Sequence, residues 1–195
     1  MARTPDPERR TELLDQIVDY LAEHGLATLS MRPLAEHLGK STRVLTHHFA
    51  DKRELLSATM IRLDERHRAW LRSLPGWDGA DSVGTIVRRT WDWQLREENL
   101  PIARLIHEIE GLAAGGQLPG PVPRLLSERS GFVAGLLRER GVPEPDALRL
   151  STLANSAYTG LQLDLLITGE RDRVEAALDQ LTGLIDTWVG EYAGG

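Results

Sequence analysis

The sequence has no cysteine among its 195 residues, which excludes a disulfide framework and a thiolate metal site. Lysine is almost missing: Lys40 and Lys52 are the only two, and arginine carries the remaining positive charge. No uninterrupted apolar run is long enough to cross a bilayer. Residues 1–10 are polar and hold proline and arginine, without the apolar stretch of a secretory signal. Together these absences point to a soluble cytoplasmic protein with no membrane partner. Period-two alternation, hairpin signals such as Asn-Gly and fixed-length repeats are also missing. What remains is helical periodicity, so the expected fold class is all-α.

Catalytic patterns are missing too. His107-Glu108 lacks the second histidine of a zinc-protease helix. Gly115-Gly116 falls in an irregular loop with no phosphate-binding lysine. Glu108 and Glu110 point in different directions on a helix and make a poor acid–base pair. No catalytic residue, metal ligand or cofactor is expected, and the chain reads as a non-enzyme.

Charge is present but unevenly placed. The net charge is -6, which by itself argues against a nucleic-acid partner. Residues 1–53 hold eight basic and eight acidic side chains, so the whole deficit lies in the remainder. Between His37 and Arg53, four fixed positive charges (Lys40, Arg43, Lys52, Arg53) face one negative, Asp51. An acidic body with one locally basic segment presents that segment to DNA.

Helices are predicted over about 7–24, 30–38, 41–49, 51–74, 81–97, 101–112, 121–140, 146–168 and 171–189. In the first, Leu14, Ile17, Val18 and Leu21 recur at helical spacing, Asp6 serves as a cap before Pro7, and Gly25 is the stop. Ser30 is placed to cap the second, whose stripe is Met31, Leu34, Ala35 and Leu38. Leu45 and Phe49 face inward from the third. Asp51 and Glu54 have the spacing of a capping box, ahead of a stripe of Leu56, Met60, Leu63, His67, Trp70 and Leu74. Pro75-Gly76 breaks the fourth helix, and residues 115–123 form a Gly- and Pro-rich loop.

Two short helices pivoting on Gly39 have helix-turn-helix spacing. The second would lie in the major groove and expose Thr42, Arg43, Val44, Thr46 and His47. Arg43 suits a bidentate contact to guanine, Thr46 bonds either base type, and Val44 suits a thymine methyl. Arg32 reaches a base or a phosphate, or is a solvated surface arginine. On spacing alone a second reading stays open: an all-helical ligand-binding or enzymatic protein whose N-terminal helices only pack.

Residues 10–56 then resemble the tetracycline-repressor (TetR) family. The resemblance is carried by Ala22-Glu23-His24-Gly25, Ala27-Thr28-Leu29-Ser30-Met31-Arg32 and Leu34-Ala35-Glu36-His37-Leu38-Gly39. His47-His48-Phe49 and Asp51-Lys52-Arg53-Glu54-Leu55-Leu56 complete it. The sequence departs from the family pattern at Lys40 and Arg43, where small residues are usual, and at Thr46, where an aromatic is usual. The frame is kept while the reading face differs. The resemblance implies phosphate contacts from Ser30, His48 and Lys52. Lys52 has an independent reason, since it sits in the first turn of a helix, where the dipole favours an anion. Arg9 and Arg10 add contacts from the first helix. His48 is alternatively a structural hydrogen-bonder.

The family resemblance implies a DNA-binding domain over 1–50 and a larger helical ligand-binding and dimerisation domain over 51–195. It implies a sequence-specific regulator, most often a repressor released from a palindromic operator by a small-molecule effector. The partners are then double-stranded DNA, an effector of unknown identity and a second copy. The sequence supports dimerisation on its own terms. Val174, Leu178, Leu181, Ile185 and Trp188 recur on the last helix at near-heptad spacing. Leu150, Leu153, Ala154, Ala157, Leu161 and Leu165 do so on the one before, where Ser156 and Gly160 permit close approach. Two such helices per subunit would make a four-helix seam through Leu153, Ala157, Leu161, Leu178, Leu181, Ile185 and Trp188. A buried intramolecular core is the alternative. For the effector, His67, Trp70, Trp91, Trp93, His107, Tyr158 and Gln162 are candidate lining residues; ordinary core packing is the alternative for each.

Overall fold

The computed structural model describes residues 7–27, 29–118 and 121–193, and these form helices with no strand among them. In chain order the helices are α1 (Pro7–His24), α2 (Met31–His37), α3 (Thr42–His48), α4 (Lys52–Arg72) and α5 (Val83–Gln94). They continue with α6 (Leu100–Ala114), α7 (Pro121–Arg138), α8 (Asp146–Thr168) and α9 (Arg171–Ala193). The all-α expectation holds, and the bounds expected for α1 and α8 match. Asp6, expected as the first cap, lies outside the described residues, as do Thr28 and residues 119–120 of the expected loop.

The chain divides into two compact units, Met1–Ala69 with Arg96–Pro123, and Trp70–Leu95 with Arg124–Gly195. Compactness therefore divides the chain elsewhere than residue 50: α4 as far as Ala69, and all of α6, join α1–α3.

In the first unit, Leu13, Leu14, Ile17, Val18 and Leu21 of α1 are buried with Leu34 and Ala35 of α2 and Leu45 of α3. Phe49, Leu55, Leu56, Met60 and Leu63, with Ala103, Leu105 and Ile109 of α6, complete this core. The spacing along α1 puts all five of its residues on one face, which α6 packs against. An ion pair fixes α4 to α1: the Arg62 guanidinium donates to both Asp15 oxygens at 2.9 Å. That bond holds the Asp15 carboxyl below the usual carboxylate range, against the burial that pushes it up.

The start of α4 is capped, though not in the reciprocal form the sequence suggested. Asp51 Oδ1 accepts from Glu54 N at 2.8 Å, but Glu54 Oε2 accepts from Ala50 N at 2.6 Å rather than from Asp51. Ser30 stands at the N-cap of α2 with extended backbone, but its side chain makes no cap hydrogen bond. This corrects the expected capping role.

In the second unit α9 packs against both α5 and α8. At the start of α5, Asp186 of α9 accepts from Gly84 N at 2.7 Å and from the Ser82 hydroxyl at 2.8 Å. The approach is close: a Cβ on Gly84 would stand 2.7 Å from the Thr182 carbonyl oxygen. Arg88 joins the same two helices by ion pairs to Glu175 and Asp179. Val174, Leu178, Leu181 and Ile185 of α9 are buried in this unit.

Candidate nucleic-acid interface

The turn between α2 and α3 follows from Gly39, whose φ of 62° is a conformation that costs residues with a Cβ. It lets Gly39 N donate to Glu36 O at 3.1 Å and Lys40 N to Ala35 O at 2.9 Å, closing α2. Helix α3 then starts three residues later, and α2 and α3 pack on each other. Leu45 and Phe49 are fully buried beneath it. With those two fixed, the 3.6-residue period leaves Thr42, Arg43, Val44, Thr46 and His47 exposed, Val44 at 39%. All five base-contact candidates of α3 thus lie on the open side of one anchored helix.

Their chemistry differs. Among the described residues the Arg43 side chain meets no carboxylate or other partner, and neither does that of Lys40 in the turn. An exposed cation with no partner is available to an outside anion at no cost in broken bonds. The Thr46 hydroxyl donates to Arg43 O at 3.3 Å, which leaves its oxygen free to accept. Arg32 is bound along its own helix to Glu36 at 3.0 Å, with both side chains largely exposed. Such a pair contributes little and opens easily.

Around this face, Ser30 is exposed and its hydroxyl is unused by the helix. Lys52 begins α4 and its Nζ lies 3.5 Å from Leu26 O. Arg10 places its guanidinium over the Phe49 ring, 5.4 Å from the centroid, so it packs as well as carrying charge. Arg9 is exposed. His48 is half-buried, and its Nδ1 is enclosed without a hydrogen-bond partner. Burial, then the charges of His47 and Arg10, hold its imidazole below the ordinary value. At neutral pH His48 therefore offers a neutral hydrogen bond and no charge. Arg53, outside the expected contacts, lines an open groove of ≈ 560 Å³ with Arg10, Asp51, Glu54, Ser57, Ala58 and Ile61. Two cations and two carboxylates cancel there, so the groove is not an anion site by charge.

Residues 13–59 match the model of a family described as bacterial regulatory proteins, tetR family. The HTH-type transcriptional regulator BetI of Klebsiella pneumoniae is 31% identical over 90 residues, covering 44% of this chain and 46% of that protein. The chain thus spans about half the length of the curated relatives it matches. A solved transcriptional regulator from Rhodococcus sp. Rha1 has the same fold, with a TM-score of 0.72 at 24% identity, over 92% of this chain and 96% of that one. BioQ, solved with its natural double-stranded DNA operator, gives 0.55 at 23% identity, over 89% and 98%. The match to the tetR family thus rests on residues 13–59.

The seven candidate effector residues divide between the two units. His67 and His107 belong to the first unit, where His107 Nδ1 lies 3.4 Å from Glu110 Oε2. The other five belong to the second. Trp70 and Trp93 stack at 4.3 Å between centroids, and Trp91 meets Tyr158 edge to face at 5.5 Å. Gln94 joins the set and was not legible in the sequence: its Oε1 accepts from the Tyr158 hydroxyl at 2.5 Å and from Gln162 Nε2 at 2.9 Å. Trp91 is fully buried, with an indole N–H that has no hydrogen-bond partner. Burial, with Asp92 second, pushes the Tyr158 phenol far above its ordinary value, so it stays a neutral donor.

Of the residues expected at the dimer seam, three are buried within a single subunit. Leu178, Leu181 and Ile185 are 0%, 8% and 3% exposed. They lie in their own subunit's core. Leu153 is exposed, and Ala157, Leu161 and Trp188 are half-buried. The apolar residues that do face outward on these helices are Leu148, Leu153, Leu163 and Ile167 of α8 and Leu184 of α9.

Proposed function

We propose that the chain is a sequence-specific DNA-binding transcriptional regulator, a repressor released from a palindromic operator by a small-molecule effector. The observation that carries this reading is α3, anchored through Leu45 and Phe49 while Arg43, Thr42, Val44, Thr46 and His47 stay open. Arg32 completes the base-contact set, and Ser30, His48, Lys52, Arg9 and Arg10 hold phosphates. The DNA-bound state of BioQ supports the same use of this fold. Residues 1–50, with Lys52 just beyond them, carry the DNA contacts, and the rest of residues 51–195 carry effector binding and dimerisation. A protein with this role works in the cytoplasm, and its action is binding rather than catalysis.

A homodimer is part of the proposal. One short reading helix makes few base contacts, and a two-fold pair doubles them. The exposed apolar residues of α8 and α9 form a face that a monomer rarely leaves open. The effector is assigned to the Trp91, Trp93, Trp70, Tyr158, Gln94 and Gln162 cluster.

The test is a gel shift with duplex DNA flanking the chain's own gene, repeated over a salt series. A retarded band whose log affinity falls linearly with log salt is expected. The absence of a salt-sensitive band with any such fragment would falsify the reading.

A further inference from the structure

We propose that Glu108 is a positioning residue whose carboxylate holds the connection between α1 and α2, and with it the helix-turn-helix, in the geometry that binds DNA. This rests on the DNA-binding reading above. Leu26 lies in the short connection between α1 and α2, which decides how α2 and α3 leave α1. Gly25 closes α1 by donating to Leu21 O at 2.9 Å. The next N–H, that of Leu26, lies past the helix end and needs an acceptor from elsewhere. Glu108 Oε2 supplies it at 2.9 Å, from a position 82 residues further along the chain. The carbonyl of the same residue takes Lys52 Nζ at 3.5 Å. Leu26 is thus bound on one side by a carboxylate of α6 and on the other by an ammonium of the first turn of α4, with its side chain buried between.

A charge-assisted hydrogen bond of this length is short and directional, so it fixes the turn against α6. Lys52, the proposed phosphate ligand, shares the residue that Glu108 holds. By charge alone a carboxylate on the residue that Lys52 also holds weakens DNA binding. Its removal therefore separates the two roles by sign: charge predicts tighter binding, positioning predicts weaker binding.

The experiment uses the full chain, a duplex that the wild type retards, and the variants Glu108→Ala, Glu108→Asp and Glu108→Gln. Ala and Asp lose or retract the acceptor and are expected to weaken binding roughly tenfold. Gln keeps an acceptor oxygen without the charge and is expected to match or exceed the wild type. The salt slope stays at the wild-type value in all three, since no phosphate contact is lost. In the free protein, amide exchange at Leu26 is slow in the wild type and Gln, and faster by roughly tenfold or more in Ala and Asp. Equal tightening by Ala and Gln, or unchanged protection of Leu26 in Ala, overturns the proposal. If Ala does not fold, Asp against Gln decides by the same criteria. Failure of the DNA-binding reading looks different: the wild-type chain then retards no duplex at all.

Discussion

The second unit pairs many of its cations with carboxylates, while around the reading helix three stand open and Arg32 is paired with Glu36. In the second unit Arg88 binds Asp92, Glu175 and Asp179, Arg89 binds Asp81, Arg138 binds Glu144, and Arg173 binds Asp164 and Glu170. Around the reading helix Lys40, Arg43 and Arg53 have no such partner among the described residues. An arginine that meets its own carboxylate is neutralised and spends its hydrogen bonds on the fold. One left open keeps its full field and its fork of donors for a molecule that is absent until binding. Net charge alone hides this, because the chain is acidic overall while Lys40, Arg43 and Arg53 stand open within one short segment.

The largest effect that sharpens the comparison is on α9, where inward and outward leucines lie two turns apart. Leu178→Ala is expected to cost about 2–5 kcal/mol of unfolding free energy in a denaturant titration, as a cavity in a closed core does. Leu184→Glu, paired with Leu153→Glu, is expected to leave stability nearly unchanged yet give a monomer by sedimentation and abolish operator binding. A dimer surviving the second change would return the seam to some other face.

Arg43→Ala comes next. It is expected to cost about 1–3 kcal/mol in operator affinity and to relax preference at one base pair per half-site. A scan of operator variants that shows uniform weakening would make Arg43 a backbone contact. Lys52→Ala is expected to weaken all duplexes about equally and to lower the salt slope by about one unit. A changed base preference at constant slope would contradict that role.

The smallest effect concerns a paired cation, that of Arg62 with Asp15. The Asp15 pKa is lowered in the folded chain, so its pair stabilises the fold above the unfolded value of about 4 and is lost as pH falls through the folded value. Asp15→Asn is therefore expected to lower the melting temperature at pH 7 and to match the wild type more closely as the pH is taken below about 4. An equal difference at both ends of that range would mean that the pair acts by shape and not by charge.

The helix-turn-helix was legible because its determinants are local. Gly39 sets the turn, and Leu34, Ala35, Leu45 and Phe49 set the inward faces, all within 16 residues of one another. The α9 stripe was equally legible as buried, but periodicity does not say by what. Val174, Leu178, Leu181 and Ile185 recur at spacings of four, three and four, and the same pattern serves an own-core face or a partner face. Only α5, pressed close enough to bring Gly84 against Thr182, decides that these residues are enclosed within the subunit. Ser30 shows the converse limit: its residue type and position suit a cap, but the side chain does not make the bond.

The sequence by itself determined the all-helical class, the helix-turn-helix and its open side chains, because helical periodicity, glycine at a positive φ and charge counting act over a few residues. Tertiary structure decided what depends on chain segments meeting after long loops. Glu108 reaches Leu26 across 82 residues, and Gln94 gathers Tyr158 and Gln162 from 64 and 68 residues away. Nothing in the sequence near either end marks such a pairing, since a carboxylate or an amide reads locally as a solvated residue. It becomes a specific partner only when packing brings a backbone N–H or a hydroxyl into its reach and excludes competing water.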